Sequence, residues 1–354
     1  MDARKKKKII AAITAVAAGS LSLATVVTSV NVYDSFFKRF ERPDYNLVAG
    51  VYNYELVRQD LPREEFYFKS DGVNLKGYLY LQQNSKGLVV VCHGIHAGAD
   101  DYLPAINYFY ENSFSVFAFD YKGTYDSGGD GTVGMCESLV DLDHALNYVS
   151  TDARINGLPL FLFGHSWGGY AVTSVLAIHK EVKACAAVAA MNNGFTMILE
   201  KGEEYAGKFS SFPKPFLDAY QSALFRDYVK YNGVKGINST DIPVLLAHGV
   251  NDRVIAFNRQ SIISHKNEFT NPNVIYYEGV GYQGDHNNIW HSVAAAEYQA
   301  EVKAMLADLK KSKGRELTYE EKTEFYKTVN HELYSQVNEE LFEKIITMYE
   351  NSIN

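Results

Sequence analysis

Cysteine is scarce in this sequence, and its three copies are not arranged as pairs. Cys92, Cys136 and Cys185 form no C-x-x-C motif, and an odd number of cysteines cannot make a closed set of disulfides. Cys92 and Cys185 lie in apolar runs, which predicts that both are small buried residues without a redox or nucleophilic role. The chain has 354 residues, 47% of them hydrophobic, so a disulfide-stabilised miniature and a globally disordered chain are both excluded.

Basic residues are also fewer than acidic ones, which gives a net charge of −8 at pH 7. Arg4 and the run from Lys5 to Lys8 lie at the amino terminus, so the rest of the chain is more acidic than the total indicates. Binding to nucleic acid relies on Lys and Arg side chains that neutralise phosphates. Nucleic acid is therefore excluded as the main partner.

Residues 9–33 lack charged side chains, and residues 9–30 are dominated by Ile, Ala, Val and Leu. Such a segment is long enough to cross about 30 Å of hydrocarbon as a helix. The preceding cations place that end in the cytoplasm, so we expect residues 1–33 to be a basic tail plus a membrane anchor, with the body outside the cytoplasm. The alternative is a cleaved signal peptide, because Ala15-Val16-Ala17 has a small-x-small pattern; the body would then be secreted.

The body begins with two β segments, 65–68 and 75–81, separated by the turn signal Asp71-Gly72, which predicts an antiparallel hairpin. Short apolar runs then alternate with longer helical patterns such as 138–149. Nearly continuous apolar runs are typical of strands buried on both faces, and the stretches between them can hold crossover helices. We therefore predict an α/β, doubly wound, mostly parallel sheet with strands at 88–92, 115–119, 159–163, 184–190, 243–247 and 273–277.

The chain divides into four predicted parts, of which the first is the amino-terminal segment 1–33. Residues 34–64 are expected to be a linker that becomes part of the α/β domain, which spans 65–311. Within that domain the Phe-rich stretch 192–240 is much longer than an ordinary crossover and predicts a helical cap. Residues 312–354 are expected to add two helices, with an apolar stripe that packs on the main domain.

The most informative motif is Gly164-His165-Ser166-Trp167-Gly168, which follows a predicted strand and precedes a predicted helix. This is G-x-S-x-G in the strand–turn–helix setting that gives the motif its meaning. The turn is so sharp that the serine backbone is strained and its neighbours must be small. Ser166 is therefore expected to project from the carboxyl edge of the sheet as a nucleophile, beside a helix amino terminus that favours negative charge.

A serine nucleophile needs a general base and an orienting acid, and two later loops supply candidates. Asp252 follows the strand at 243–247, and His286 follows the strand at 273–277. An oxyanion would be held by the N–H of Trp167 and by that of Ile95, in the His93-Gly94-Ile95 turn after the strand at 88–92.

The order Ser166, Asp252, His286, together with the His-Gly loop and the elbow, resembles the α/β-hydrolase superfamily over about residues 65–309. Asp120-Tyr121-Lys122-Gly123 also resembles a segment common in that superfamily, although Thr124 stands where glycine is usual. The sequence is most similar to membrane-anchored bacterial serine aminopeptidase-like and esterase/lipase-like members. This resemblance implies an α/β-hydrolase fold with an inserted cap, and a serine hydrolase that needs no cofactor or metal.

Two other motifs in the sequence indicate no site. His93 and His96 form an H-x-x-H pair, but no carboxylate and histidine of ligand spacing accompany them, so no metal site is expected. The G-x-G-x-x-G at 129–134 begins too far after its strand for a dinucleotide site. Candidates for lining a substrate pocket are His93, Phe195, Phe212 and Phe216.

The expected reaction is hydrolysis of a carboxylic ester through an acyl-enzyme on Ser166, with amides or short peptides as further substrates. Two alternatives stay open at this point: acyl transfer to another acceptor, and a catalytically silent scaffold with the same fold. The sequence does not determine the acyl chain length or the oligomeric state.

Overall fold

The computed structural model describes residues 5–10, 30–31, 33–50, 54, 61–206 and 214–353, with the backbone alone for 201–206. Eight strands are found there: β1 Glu64–Ser70, β2 Val73–Tyr80, β3 Leu88–Cys92, β4 Ser115–Phe119, β5 Leu160–His165, β6 Val182–Val188, β7 Val244–Gly249 and β8 Val274–Gly279. They form one sheet in the order β1-β2-β4-β3-β5-β6-β7-β8. Only β1 with β2 and β2 with β4 are antiparallel, which confirms the predicted mostly parallel sheet.

The opening hairpin also has the predicted turn. Asp71 and Gly72 have φ angles of 43° and 82°, and Ser70 pairs with Val73 across them. Two consecutive residues with positive φ produce the tight turn whose twist matches that of antiparallel strands.

Helices lie on both faces of the sheet. The described α-helices are α1 Leu103–Glu111, α2 Glu137–Thr151, α3 Trp167–Val175, α4 Gly194–Ala206, α5 Lys214–Phe225, α6 Gly233–Ile237, α7 Val293–Lys313, α8 Tyr319–Tyr326, α9 His331–Tyr334 and α10 Glu339–Glu350. The predicted cap region therefore contains α4, α5 and α6, between β6 and β7.

Two apolar clusters pack against the opposite faces of the central strands, which are completely buried. The last strand departs from the prediction, because it is not buried on both faces. Ile275 and Tyr276 of β8 are 43% and 42% exposed. This strand lies at the edge of the sheet, so its apolar run does not indicate complete burial.

The carboxyl-terminal segment contains three helices where the sequence predicted two. The side chains of Asn330 and Asn338 accept hydrogen bonds from the first turns of α9 and α10, so each asparagine begins a new helix and breaks the four-residue pattern. On α10 the stripe of Leu341, Ile345 and Tyr349 is buried in the main core, which confirms that it packs on the domain.

Residues before β1 also contact the domain. Tyr33 and Phe37 are buried in the same cluster as Tyr220 of α5, and the Tyr33 and Tyr220 rings lie 6.0 Å apart. Arg42 forms an ion pair of 2.6 Å with the buried Asp100. The segment 33–50 thus joins the domain, in line with the expected linker that merges into it.

Most of the predicted membrane segment, residues 11–29, lies outside the described residues. In the part of the chain that the structure describes, every helix is too short or too polar to cross a bilayer. Lys6 and Asp34, on either side of the predicted span, form an ion pair of 3.1 Å.

Candidate active site

Ser166 occupies the sharp turn between β5 and α3. Its φ of 55° and ψ of −114° lie in a region that non-glycine residues rarely adopt. The Ser166 N–H donates to the Val188 carbonyl at 2.8 Å, which holds the strained turn against β6. A Cβ on Gly164 would lie 2.4 Å from the Gly168 carbonyl oxygen. A Cβ on Gly168 would lie 2.1 Å from the Cys92 carbonyl oxygen. Only glycine fits at these two positions.

The structure brings together the three side chains predicted to act with one another. His286 Nε2 lies 2.9 Å from Ser166 Oγ, and His286 Nδ1 lies 2.6 Å from Asp252 Oδ2. The residues follow β5, β7 and β8, whose carboxyl ends meet at one edge of the parallel sheet. Ser166, Asp252 and His286 are 6%, 6% and 5% exposed, so the group is shielded from water.

The hydrogen bonds assign the protons of this group. The Asp252 carboxylate can only accept, so His286 Nδ1 carries the hydrogen and Nε2 is free to accept from the Ser166 hydroxyl. Burial alone would raise the pKa of Asp252, but hydrogen bonds from His248 and His286 hold it below its ordinary value. Asp252 is therefore ionised at neutral pH and can stabilise a protonated His286.

His248 is a site residue that the sequence reasoning missed. Its Nε2 lies 3.1 Å from Asp252 Oδ2, and the other carboxylate oxygen accepts from the N–H groups of Val254 and Ile255, each at 2.8 Å. His248 is fully buried at the end of β7. Its position four residues before Asp252, at a strand end, was the available signal.

The expected oxyanion donors lie on either side of Ser166. Trp167 is the first residue of α3, so its N–H has no acceptor one turn earlier in its own helix. On the other side, a Cβ on Gly94 would lie 3.4 Å from Ser166 Cβ, which places the loop carrying Ile95 against the nucleophile. Both N–H groups stay candidates for binding an oxyanion.

The structure places His93 in the loop after β3, with backbone partners for both ring nitrogens. His93 Nε2 accepts from the Tyr121 N–H at 3.1 Å, and Nδ1 donates to the Gly94 carbonyl at 2.7 Å. Burial lowers the pKa of this imidazole to about 4. Both nitrogens are satisfied by the backbone, so His93 shapes the loop, and its role in lining a substrate pocket stays a prediction.

The aromatic candidates of the cap are only partly described. Phe195 of α4 and Phe216 of α5 are half-buried, and Phe195 packs against the main apolar cluster. Phe212 lies outside the described residues. The Trp167 side chain is fully buried and donates its indole N–H to the Met135 carbonyl at 2.6 Å. Pocket-lining roles for the three phenylalanines stay predictions.

Comparisons with known proteins agree with this architecture. The family of serine aminopeptidase S33 hydrolases matches residues 83–223. The YfhR protein of Salmonella typhi is 27% identical over 191 residues, which are 52% of this chain and 62% of that protein. The lysophosphatidylserine lipase ABHD12 of Danio rerio is 23% identical over 178 residues, 49% of this chain and 46% of that protein. The chain thus spans less than two thirds of the length of these relatives.

A solved structure shows the same fold. The Pyrococcus furiosus esterase Pf2001 superposes with a TM-score of 0.53 at 19% identity, over 78% of this chain and 98% of that one. At this identity the likeness concerns the fold, and the S33 match covers β3, the elbow and the start of the cap. By its sheet and its elbow, and in agreement with these matches, the chain has the α/β-hydrolase fold.

Proposed function

We propose that the protein is a serine hydrolase that cleaves carboxylic esters, with amides and short peptides as a second substrate class. The observation that carries the proposal is the hydrogen-bonded series from Ser166 Oγ through His286 to Asp252, with distances of 2.9 and 2.6 Å. An ionised acid, a base in the correct tautomer and a serine at a strained turn are the parts that acyl transfer to serine requires.

The proposed reaction has two halves. His286 Nε2 takes the Ser166 proton while Oγ attacks the ester carbonyl, and the N–H groups of Ile95 and Trp167 bind the resulting oxyanion. Collapse of this intermediate breaks the ester bond, and the leaving alcohol takes the proton from His286. Water, deprotonated by His286, then attacks the acyl-enzyme and releases the acid.

The comparisons support an ester substrate. One matched relative is a lysophosphatidylserine lipase, and the superposed structure is an esterase. The apolar cluster that contains Trp167 also contains Met135, Met197 and Leu217, and side chains of this kind suit an apolar acyl group. The S33 match is what keeps peptides as the second class.

Turnover of p-nitrophenyl esters of increasing acyl length tests the proposal. The native chain should release nitrophenol, and Ser166→Ala should lower kcat by about 10⁴-fold or more while it unfolds at a similar temperature. Added alcohols and amines report on the acyl-transfer alternative, because a transferase would form new esters or amides instead of free acid. Ser166→Ala with native turnover would contradict the proposal.

Membrane attachment through residues 9–30 stays a prediction from the sequence. If it holds, the full chain should sediment with membranes and resist alkaline extraction, while a chain that starts at residue 34 should not. Recovery of the full, uncleaved chain in the soluble fraction would contradict it.

A further inference from the structure

We propose that Tyr102 and His165 are positioning residues, which form a buried relay of hydrogen bonds that holds the oxyanion loop and the general base in register with Ser166. The inference rests on the proposed function and deepens it. Neither side chain was expected to have this role from the sequence, and neither touches the reacting atoms of the proposed mechanism.

The relay consists of three hydrogen bonds. The Gly94 N–H and Tyr102 Oη lie 2.9 Å apart, Tyr102 Oη and His165 Nδ1 lie 2.7 Å apart, and His165 Nε2 and the His286 carbonyl oxygen lie 3.1 Å apart. Tyr102 is 4% exposed and His165 is 4% exposed, so water does not replace these partners.

The two ends of the relay fix the direction of its outer bonds, and a neutral His165 fixes that of the middle one. The His286 carbonyl can only accept, so His165 Nε2 carries a hydrogen. The Gly94 N–H can only donate, so the Tyr102 oxygen accepts from it and gives its own hydrogen to His165 Nδ1. This assignment requires a neutral His165. Burial, reinforced by the neighbouring His286, lowers the pKa of His165 to about 3, which agrees with that requirement.

The relay connects the three loops from which the site is built. Gly94 immediately precedes Ile95, one of the expected oxyanion donors, and lies against Ser166. His165 immediately precedes Ser166, and its far nitrogen holds the backbone of His286 itself. A shift at Tyr102 is therefore transmitted to the oxyanion loop through Gly94 and to the general base through His165.

Packing fixes the tyrosine at the centre of this relay. The rings of Tyr102 and Trp290 are stacked, with centroids 5.4 Å apart and an angle of 8° between their planes. Trp290 belongs to the loop that follows His286. Two contacts therefore hold the loop that carries His286 and Trp290: the stacking of Trp290 on Tyr102, and the hydrogen bond from His165 to the His286 carbonyl.

Tyr102→Phe is the direct test, because it removes the hydroxyl and keeps the ring. We expect kcat for a p-nitrophenyl ester to fall about 10- to 100-fold, with KM changed less than about twofold, since misplaced catalytic groups slow the chemical step more than they weaken binding. Tyr108→Phe is the matched control, because Tyr108 lies on α1, the helix that begins directly after Tyr102, and packs against Phe342. It should keep the native kcat.

Two variants of His165 separate hydrogen bonding from packing. His165→Asn keeps an oxygen that can accept from Tyr102, whereas His165→Leu fills the space without any polar atom. We expect kcat to decrease from the native protein to His165→Asn, and further to His165→Leu. If the kcat of His165→Leu equals or exceeds that of His165→Asn, packing accounts for the role of His165 and the inference is overturned.

The outcomes distinguish this inference from the function on which it rests. An active native chain and an equally active, folded Tyr102→Phe variant would overturn the relay and leave the proposed function intact. A native chain that turns over no ester and reacts with no serine-directed reagent would overturn the proposed function, and the relay with it. If Tyr102→Phe does not fold, the His165 series decides.

Discussion

At the scale of single residues, the elbow is held in shape by close backbone contacts. Ser166 has a strained backbone conformation, and the surrounding hydrogen bonds offset the free-energy cost of that strain. Gly164 and Gly168 allow the neighbouring backbone segments to pack closely. The motif made Ser166, Gly164 and Gly168 predictable, because their spacing encodes a local turn. His248 and Tyr102 were not predictable in the same way, since their roles depend on contacts that only the folded sheet creates.

Gly168→Ala should therefore destabilise the protein strongly. The new Cβ would lie 2.1 Å from the Cys92 carbonyl oxygen, which forces α3 away from β3. We expect a loss of about 1–3 kcal/mol in the free energy of unfolding, or more, measured by urea denaturation. Gly157→Ala is the control, because a Cβ there meets nothing within 4 Å, and it should change stability by less than about 0.5 kcal/mol. Equal effects at the two positions would contradict this account.

At the scale of elements, periodicity and turn signals located the sheet. Strands β3 and β4 have the predicted bounds, because each apolar run stops at a polar residue, His93 after β3 and Asp120 after β4. Elements were misjudged where burial depends on neighbours: β8 is an edge strand with an exposed face, and the capping asparagines divide the carboxyl-terminal pattern into three helices. A sequence pattern shows which side of an element is apolar, but not what covers it.

The contact between α2 and the turn before β6 should make stability depend on pH. His179 is mostly buried and lies 2.7 Å from Asp143 of α2 and 2.6 Å from Glu181. Burial alone would lower the pKa of His179, but the hydrogen bonds and charges of these two acids raise it above 6.5. The charged pair therefore contributes stability that is fully present below pH 6.5 and is lost as the pH rises through the higher folded value.

His179→Gln removes this titration and keeps a polar side chain. We expect the native protein to be more stable than the variant by about 1.5–3 kcal/mol below pH 6.5, and this difference to shrink at higher pH. Urea denaturation of both proteins from pH 5.5 to 9 measures it. A difference that is constant with pH, or that grows above pH 6.5, would refute the role given to His179.

At the scale of the whole molecule, the carboxyl-terminal helix α10 belongs to the core of the main domain. The Tyr349 hydroxyl donates to the Leu162 carbonyl of β5 at 2.7 Å, and Phe342 and Ile345 pack among residues of the central sheet. The sequence predicted a helical extension that packs on the domain. It could not show that α10 covers central strands, because a stripe of apolar residues does not show which surface it packs against.

The whole chain should consequently unfold in one step that includes α10. Ile345 is completely buried, and Ile345→Ala should cost about 2–5 kcal/mol, as at other buried aliphatic sites. Glu340→Ala, on the exposed side of the same helix, should cost less than about 0.5 kcal/mol. Calorimetry that resolves a separate transition for α10, with the main transition unchanged by Ile345→Ala, would contradict a shared core.

The central claim is that Ser166 is an activated nucleophile, and fluorophosphonate labelling of the native chain tests it most directly. After proteolysis, mass spectrometry should find the label on Ser166 alone, and Ser166→Ala should remain unlabelled although it folds. A folded native protein that stays unlabelled, or that carries the label on another serine, would contradict the account.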